Sequence, residues 1–252
     1  REFQPDTAFI YEEPWSRAMA QHLWLLKKDF SRARTVFYSY QNIYNRYGWP
    51  HWAIEWLCHR LVQGAVVAGE EMAKVLRRKG FGRPVAVIAP GADPVDYCRD
   101  TTVAEQWRRS HPPQGFAIGF AGRMDAAKGL HDLWQALAQL EFPHSLYMIG
   151  QGPLQAELQS RQGELPQTTV HWLPHVSPDA MRGIYSLLDC LVLPSRTTAD
   201  WKEQFGRVLT EAMLCQLPVV GSDSGEIPHV IADAGLIFPE RNSTALAAQL
   251  RR

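Results

Sequence analysis

From Phe116 to Pro239, short apolar runs bounded by Gly, Pro or Asp alternate with helical patterns, and this alternation limits the possible folds more than any other feature of the chain. The runs FAIGFAG, SLYMIG, TVHWL, CLVLPS, PVVGS and GLIFP read as strands. Between them HDLWQALAQL, PLQAELQSR, PDAMRGIYSLL, FGRVLTEAMLC and GEIPHVIAD read as helices. Pro153 and Pro178 stand where a first helical turn tolerates proline, and Asp132 and Asp179 put negative charge near helix starts. Repeated strand-helix units of this kind wind around a parallel sheet, so the expectation is an α/β, doubly wound, Rossmann-like domain.

The preceding residues follow a similar but weaker pattern. DTAFIYEEP is strand-like, and the stretch Trp52 to Val62 carries Ile54, Leu57, Cys58, Leu61 and Val62 at helical spacings of three and four, which predicts one buried face. GAVVAG then reads as a strand and EEMAKVLRRKG as a helix. VAVIAPGADPVDY reads as a crossover strand running into a Gly/Pro/Asp-rich linker, which places a domain boundary between Lys79 and Pro94. The expected division is residues 1–84 and 85–252. The chain opens on Arg1 without a methionine and ends in the helical pattern STALAAQLRR, so it is expected to be cut from a longer protein, with the missing part at its N-terminal side.

Composition narrows the function classes. Lys plus Arg (26) balances Asp plus Glu (26), which removes a whole-protein electrostatic case for nucleic acid. Cys58, Cys98, Cys190 and Cys215 form no CxxC pair, so neither a zinc site nor a disulfide framework is expected. No run approaches the roughly 20 apolar residues of a membrane span, and no signal peptide is visible. The expected setting is cytoplasmic, at most with peripheral association at the inner face of a membrane.

Three segments could carry chemistry. In FAGRMDAAKGL, Gly122 ends a strand, while Arg123 and Lys128 bracket a loop running into a helix; two cations beside helix-start amides can clamp a diphosphate. In MIGQGPLQAEL, Gly150 and Gly152 precede a helix at Pro153, allowing either close approach of a ligand or an ordinary turn. It is not GxGxxG, so the usual dinucleotide fingerprint is absent. The third segment, PSRTTADWKEQFGRVLTEAMLCQLPVVGSDSGEIPHVI, places Glu203 and Glu211 eight positions apart, with Phe205 and Gly206 marking a loop-to-helix transition between them. At 3.6 residues per turn, the two carboxylates can face one crevice at different depths. A carboxylate binds an adjacent pair of sugar hydroxyls bidentately, and helix-start amides accept phosphate. An isolated Glu pair is usually a solvated face, but the apolar VLTEAMLC around Glu211 argues for burial.

The order GR…KG, GxGP, E-x7-E within EQFGRVLTEAM, PVVGSDSGEIPHVI and GLIFP resembles the retaining glycosyltransferases of family 4, from about Val85 to Arg252 and more faintly before that. The resemblance implies the two-domain GT-B fold. Residues 1–84 would be the C-terminal part of an acceptor-side domain, and 85–252 the nucleotide-sugar domain. It implies transfer of a hexose from UDP or GDP to a glycan, lipid or other hydroxyl acceptor, without metal or other cofactor and with retention at the anomeric carbon. Arg123 and Lys128 would hold the diphosphate, Glu211 the ribose, and Glu203 the donor sugar. Amides around Phe205, Gly206 and Arg207 would contact sugar or phosphate, with Gly122 and Gly150 beside the donor and Pro174 and His175 near the base.

The chain also departs from the family. Gln204 follows the first Glu where many relatives have Gly, and the glycine-rich loop of the first domain is missing. Tyr40, Gln41 and Asn42, within VFYSYQNIYNRYGWPH, stand where an active-site His would be sought on the acceptor side. The aromatic group Tyr38, Tyr40, Tyr44, Tyr47, Trp49 and Trp52 suits either an acceptor groove or core. His144, His171 and His175 lack metal-ligand spacing, and Ser195 lies in LPSR rather than GxSxG, against an acyl-enzyme nucleophile. An epimerase or phosphorylase on the same architecture, a noncatalytic nucleotide-sugar-binding fragment and, more distantly, a dehydrogenase are the rival readings.

Overall fold

The computed structural model describes residues 4–174 and 176–252, which fall into two compact units divided after Pro90. The first unit runs β1 (Thr7–Ile10), α1 (Arg17–Asp29), β2 (Arg34–Ser39), α2 (His51–Leu61), β3 (Gly64–Val67), α3 (Glu70–Arg78) and β4 (Val85–Val87). Its four strands are parallel and follow chain order, β1-β2-β3-β4. Val85–Val87, expected at the head of the second domain, therefore closes the first sheet, and the chain divides after Pro90 rather than before Val85. Its three residues are too few to reveal their sheet from sequence.

One face of this sheet packs its apolar residues onto helices. Ile10, Phe37, Ala65 and Val67 bury against Met19 and Leu23 of α1, Cys58 of α2, and Met72 and Leu76 of α3. Ser16 starts α1 by accepting a hydrogen bond from the Met19 amide, and Lys27 and Lys28 complement the dipole in its last turn. The expected buried face of α2 is only partly observed. Cys58 and Val62 are buried, but Leu57 is exposed and the charged Glu55 is buried in its place. A charge partner for Glu55, Lys79 just beyond α3, overrides the apolar pattern.

The second unit runs α4 (Thr101–Ser110), β5 (Phe116–Ala121), α5 (Leu130–Leu137), β6 (His144–Ile149), α6 (Gln155–Ser160), β7 (Thr168–Leu173), α7 (Pro178–Leu187), β8 (Cys190–Leu193), α8 (Arg207–Leu214), β9 (Val219–Ser222), α9 (Ile227–Ile231), β10 (Leu236–Phe238) and α10 (Ser243–Leu250). All six expected strands form one parallel sheet in the order β10-β9-β8-β5-β6-β7. The chain starts at β5 in the middle, winds out to β7, then returns to β8 on the other side of β5. That reversal is the topological switch of a doubly wound sheet, outside whose carboxyl strand ends ligands bind. β5, β6 and β8 are buried nearly throughout, as a parallel sheet covered on both faces requires.

Each unit is thus α/β around one parallel sheet, the pair of Rossmann-like units that the GT-B expectation calls for. Among the described residues, no helix is long and apolar enough to cross a membrane.

Candidate active site

A cavity of about 490 Å³ opens at the carboxyl ends of β5 and β6. Gly122 and Arg123 line it after β5, Gly150 and Gln151 after β6, Met181 and Tyr185 from α7, and Val208 and Glu211 from α8. The two glycines are there for steric reasons. Gly150 has φ +122°, and a Cβ on it would lie 2.1 Å from the carbonyl oxygen of Gly122, so the two loops meet backbone to backbone.

Glu211 is 8% exposed and lies on the second turn of α8. The Tyr185 hydroxyl donates to its Oε2 at 2.9 Å, fixing the rotamer, and Arg207 reaches its Oε1 at 3.5 Å. Burial, followed by the Glu211 charge, raises the Tyr185 hydroxyl far above its ordinary value, so it stays a donor at every physiological pH. A buried carboxylate aimed into a cavity is unusual enough to mark a binding group.

A second cluster forms where the turn before α5 meets the loop before α8. Gly129 makes the approach possible, because a Cβ there would lie 1.8 Å from the Pro194 carbonyl oxygen. Arg196 locks it: its guanidinium pairs with the buried Asp132 carboxylate of α5, and its amide donates to Ala127 at 2.7 Å. Lys128 Nζ is thereby brought 2.6 Å from Glu203 Oε2, across 75 residues of sequence. Ser195 Oγ donates to the same oxygen at 2.6 Å, and the Trp201 ring lies 4.8 Å from the ammonium. The backbone of Glu203 is fixed too, its carbonyl accepting from the Glu226 amide at 3.2 Å.

The structure sorts the expected site residues into these two groups. Gly122, Arg123, Gly150 and Glu211 line the cavity; Lys128 and Glu203 form the adjoining pair and are not among its lining residues. Arg123, expected to act alongside Lys128, is 72% exposed along its side chain and lies 3.3 Å from Asp125. Glu203 precedes the helix rather than lying on it. Gly206 is the residue before α8, Arg207 its first residue, and Phe205 is half-buried in the loop ahead of them. Pro174 is exposed just beyond β7, and His175 lies outside the described residues.

In the first unit, Gln41 and Asn42 are buried, and Tyr40 is tied by its amide to Glu13 and by its hydroxyl to Tyr11 at 2.8 Å. Tyr38 stacks on Tyr11 and Tyr40 meets Tyr11 edge-on, Tyr44 lies under Arg78, and Tyr47 packs on Trp15, whereas Trp49 and Trp52 are exposed. The aromatic group is thus several small clusters rather than one groove.

Tyr185, Ser195 and Trp201 carry no sequence signal. A buried Tyr in a helix reads as core, and Ser195 matters for what it bonds rather than for any motif. His144 is held by Phe142 and Thr168, and His171 stacks on Tyr147, both structural roles. Among the described residues, no group of three or more His, Cys, Asp or Glu is placed to hold a metal ion.

A cavity at the switch point, with a buried carboxylate above glycine turns, is where a doubly wound protein takes its ligand. The family of glycosyl transferases group 1 matches residues 115–252, more than half of the chain, and the chain belongs to it. It is 31% identical over 181 residues to the D-rhamnosyltransferase WbpZ of Pseudomonas aeruginosa, a match covering 70% of this chain and 45% of that protein. A D-inositol 3-phosphate glycosyltransferase of Corynebacterium urealyticum is 31% identical over 183 residues, covering 66% of this chain and 42% of the relative. The chain thus spans under half the length of these curated relatives. In fold it resembles Anabaena Alr3699/HepE in complex with UDP (TM-score 0.79, 20% identity, 96% of this chain and 68% of that one). It also resembles the sucrose-phosphate synthase of Thermosynechococcus elongatus (TM-score 0.75, 21% identity, 97% and 63%).

Proposed function

We propose that residues 91–252 bind the nucleotide-sugar donor of a retaining, metal-independent hexosyltransferase. The donor carries UDP or GDP, and the acceptor is a hydroxyl of a glycan or lipid. The observation carrying this reading is Glu211: a buried carboxylate, held by Tyr185, facing a cavity at the switch point of the sheet. Such a group takes the two ribose hydroxyls bidentately. Supporting it, Arg123 lies at the cavity and can turn from Asp125 to a diphosphate, while the α8 start at Gly206 and Arg207 presents its amides.

The reaction needs charge stabilisation on the leaving group. As the bond from the anomeric carbon to the diphosphate oxygen breaks, its electron pair goes to the diphosphate, where Arg123 and Lys128 replace a metal as counterions. The acceptor hydroxyl forms the new bond from the same face and passes its proton to the departing phosphate oxygen, giving retention. Glu203, its position set by Lys128 and Ser195, serves the donor sugar.

HepE was solved with UDP and UDP-glucose, which makes UDP and UDP-glucose the first ligands to try. Calorimetry with UDP, GDP and their sugars, with and without a chelator, tests the reading. Expected is micromolar to millimolar binding of one diphosphate series, unchanged by chelation. Binding that collapses on chelation overturns the metal-independent reading, and absence of binding by both series overturns the donor assignment.

A further inference from the structure

A second cavity, of about 250 Å³, lies on the helical side of the first unit between α2 and the end of α3. Its walls are Trp52, Glu55, Trp56, His59 and Arg60 of α2, with Lys79 and Gly80 just beyond α3. Lys79 Nζ meets Glu55 Oε1 at 2.6 Å, with 4% and 11% of the two side chains exposed. The ring of His59 rests on Phe81, and its Nε2 is buried with no hydrogen-bond partner. Trp52 is 56% exposed and Trp56 46%, one helical turn apart, with the Arg60 guanidinium 4.1 Å above the Trp56 ring.

We propose that this cavity binds a neutral sugar ring, at a site built wholly from the first unit and separate from the nucleotide cavity of the second. Three features select that chemistry. The buried charges pair internally, Lys79 with Glu55, and the remaining cation of the wall, Arg60, lies over the Trp56 ring, so the cavity offers a ligand no buried unpaired charge. Burial, with the Lys79 charge second, pushes His59 down to about 4, leaving a neutral imidazole in the wall whose buried, unpartnered Nε2 can meet a hydroxyl once the ring turns toward the cavity. The wall opposite these polar groups is indole, which packs against the C–H face of a pyranose, and Arg60 already occupies one face of Trp56, making Trp52 the platform. A ligand with hydroxyls on its edge and an apolar face satisfies all three together. The volume lies just below the range of about 300–1,000 Å³ for small-molecule sites, room for one ring rather than a chain of them. In a glycosyltransferase such a site would hold a sugar unit of the acceptor. The binding itself does not depend on the donor reading.

Saturation-transfer NMR on the 252-residue chain without nucleotide tests this, using methyl glycosides of glucose, galactose, mannose and rhamnose, with inorganic phosphate and acetate competing. At least one glycoside is expected to receive saturation on its C–H face and to be displaced by neither anion. Trp52→Ala, at an exposed position that leaves the core intact, should weaken binding about tenfold, and Trp52→Tyr should restore part of it. The proposal is overturned if no glycoside gives a signal, if phosphate or acetate abolishes it, or if Trp52→Ala leaves it unchanged while thermal unfolding shows a folded variant.

Discussion

Each unit contains one lysine-glutamate pair at 2.6 Å with the ammonium near an aromatic ring, yet the two pairs differ in what surrounds them. In the first unit, Lys79 (4% exposed) and Glu55 (11%) link α2 to the end of α3, beneath Tyr47. In the second, Lys128 (19%) ends a short 3-10 turn and Glu203 (9%) comes from the loop before α8, and Ser195 adds a third partner on the same carboxylate oxygen. A pair that links two helices out of water is an architectural element. The second pair is supported by Arg196–Asp132 and a serine, and under the proposed function it is held in place for the donor sugar. Under the proposed function, the same contact distance joins two elements in the first unit and prepares a group for the donor in the second.

The comparison is broken most directly by removing each lysine. Lys79→Met keeps the volume but leaves Glu55 buried without its partner, for which a loss of about 3–5 kcal/mol is expected in urea unfolding of the first unit. Glu55→Gln added to it should recover part of that loss. Lys128→Met should destabilise less, because its side chain is more exposed, and should act on diphosphate binding instead. Equal stability losses from the two, with binding unaffected, would erase the distinction.

The first unit should also respond to acid. His59 has its folded value pushed down to about 4, below the ordinary 6.5, so the unfolded chain takes up the proton first. Stability is fully present above about pH 6.5, falls as the pH drops toward 4, and falls no further on this account below that. His59→Gln should flatten thermal unfolding midpoints over that window. A variant retaining the wild-type slope would place the acid sensitivity elsewhere.

The second unit was far more legible in sequence than the first, and for a physical reason. Its strands are buried on both faces, so FAIGFAG, SLYMIG and CLVLPS appear as nearly unbroken apolar runs between helical patterns, and all six came out in the sheet. α2 misled because Lys79, 24 residues beyond Glu55, supplies the partner that lets a charge take a core position, while Leu57 turns outward. β4 is legible as a strand, but three residues beside a Gly/Pro-rich stretch do not tell which sheet they join until their register with β3 is known. α4, capped by Asp100 on the Val103 amide, carried charge and tryptophan without a clear apolar stripe and left no sequence expectation. At the site, Glu211 could be found because apolar neighbours flank it. Ser195, Tyr185 and Trp201 could not, since each acts through a partner eight to 73 residues away.

Within the second unit the two glutamates sharpen the same contrast. Glu211→Gln replaces a charged acceptor by a neutral one while keeping its shape, and a hydrogen bond to a charged group contributes roughly 1.5–3 kcal/mol. The expected loss is therefore about tenfold to hundredfold for UDP or GDP and for the matching sugar conjugate alike, read by calorimetry. A conjugate weakened far more than the free diphosphate would move Glu211 away from the ribose.

The smallest effect, and the most discriminating, belongs to Glu203→Gln on the free diphosphate. Glu203 shares its Oε2 with Lys128 and Ser195, and neither it nor Lys128 is among the residues lining the cavity that holds Glu211. Under the proposed assignment, nothing in a free nucleoside diphosphate touches Glu203. The substitution neutralises the partner of Lys128 but leaves an amide oxygen that Ser195 and Lys128 can still reach. Affinity for the free diphosphate is expected to stay within about twofold, or to rise slightly as the Lys128 charge is released toward phosphate. The advantage of the sugar conjugate over the free diphosphate should shrink by about tenfold, the equivalent of one hydrogen bond to a charged group. Circular dichroism on both variants separates these outcomes from unfolding. If Glu203→Gln and Glu211→Gln weaken both ligands by the same factor, the two carboxylates share one role, and the division between a ribose group in the cavity and a sugar group beside it is wrong.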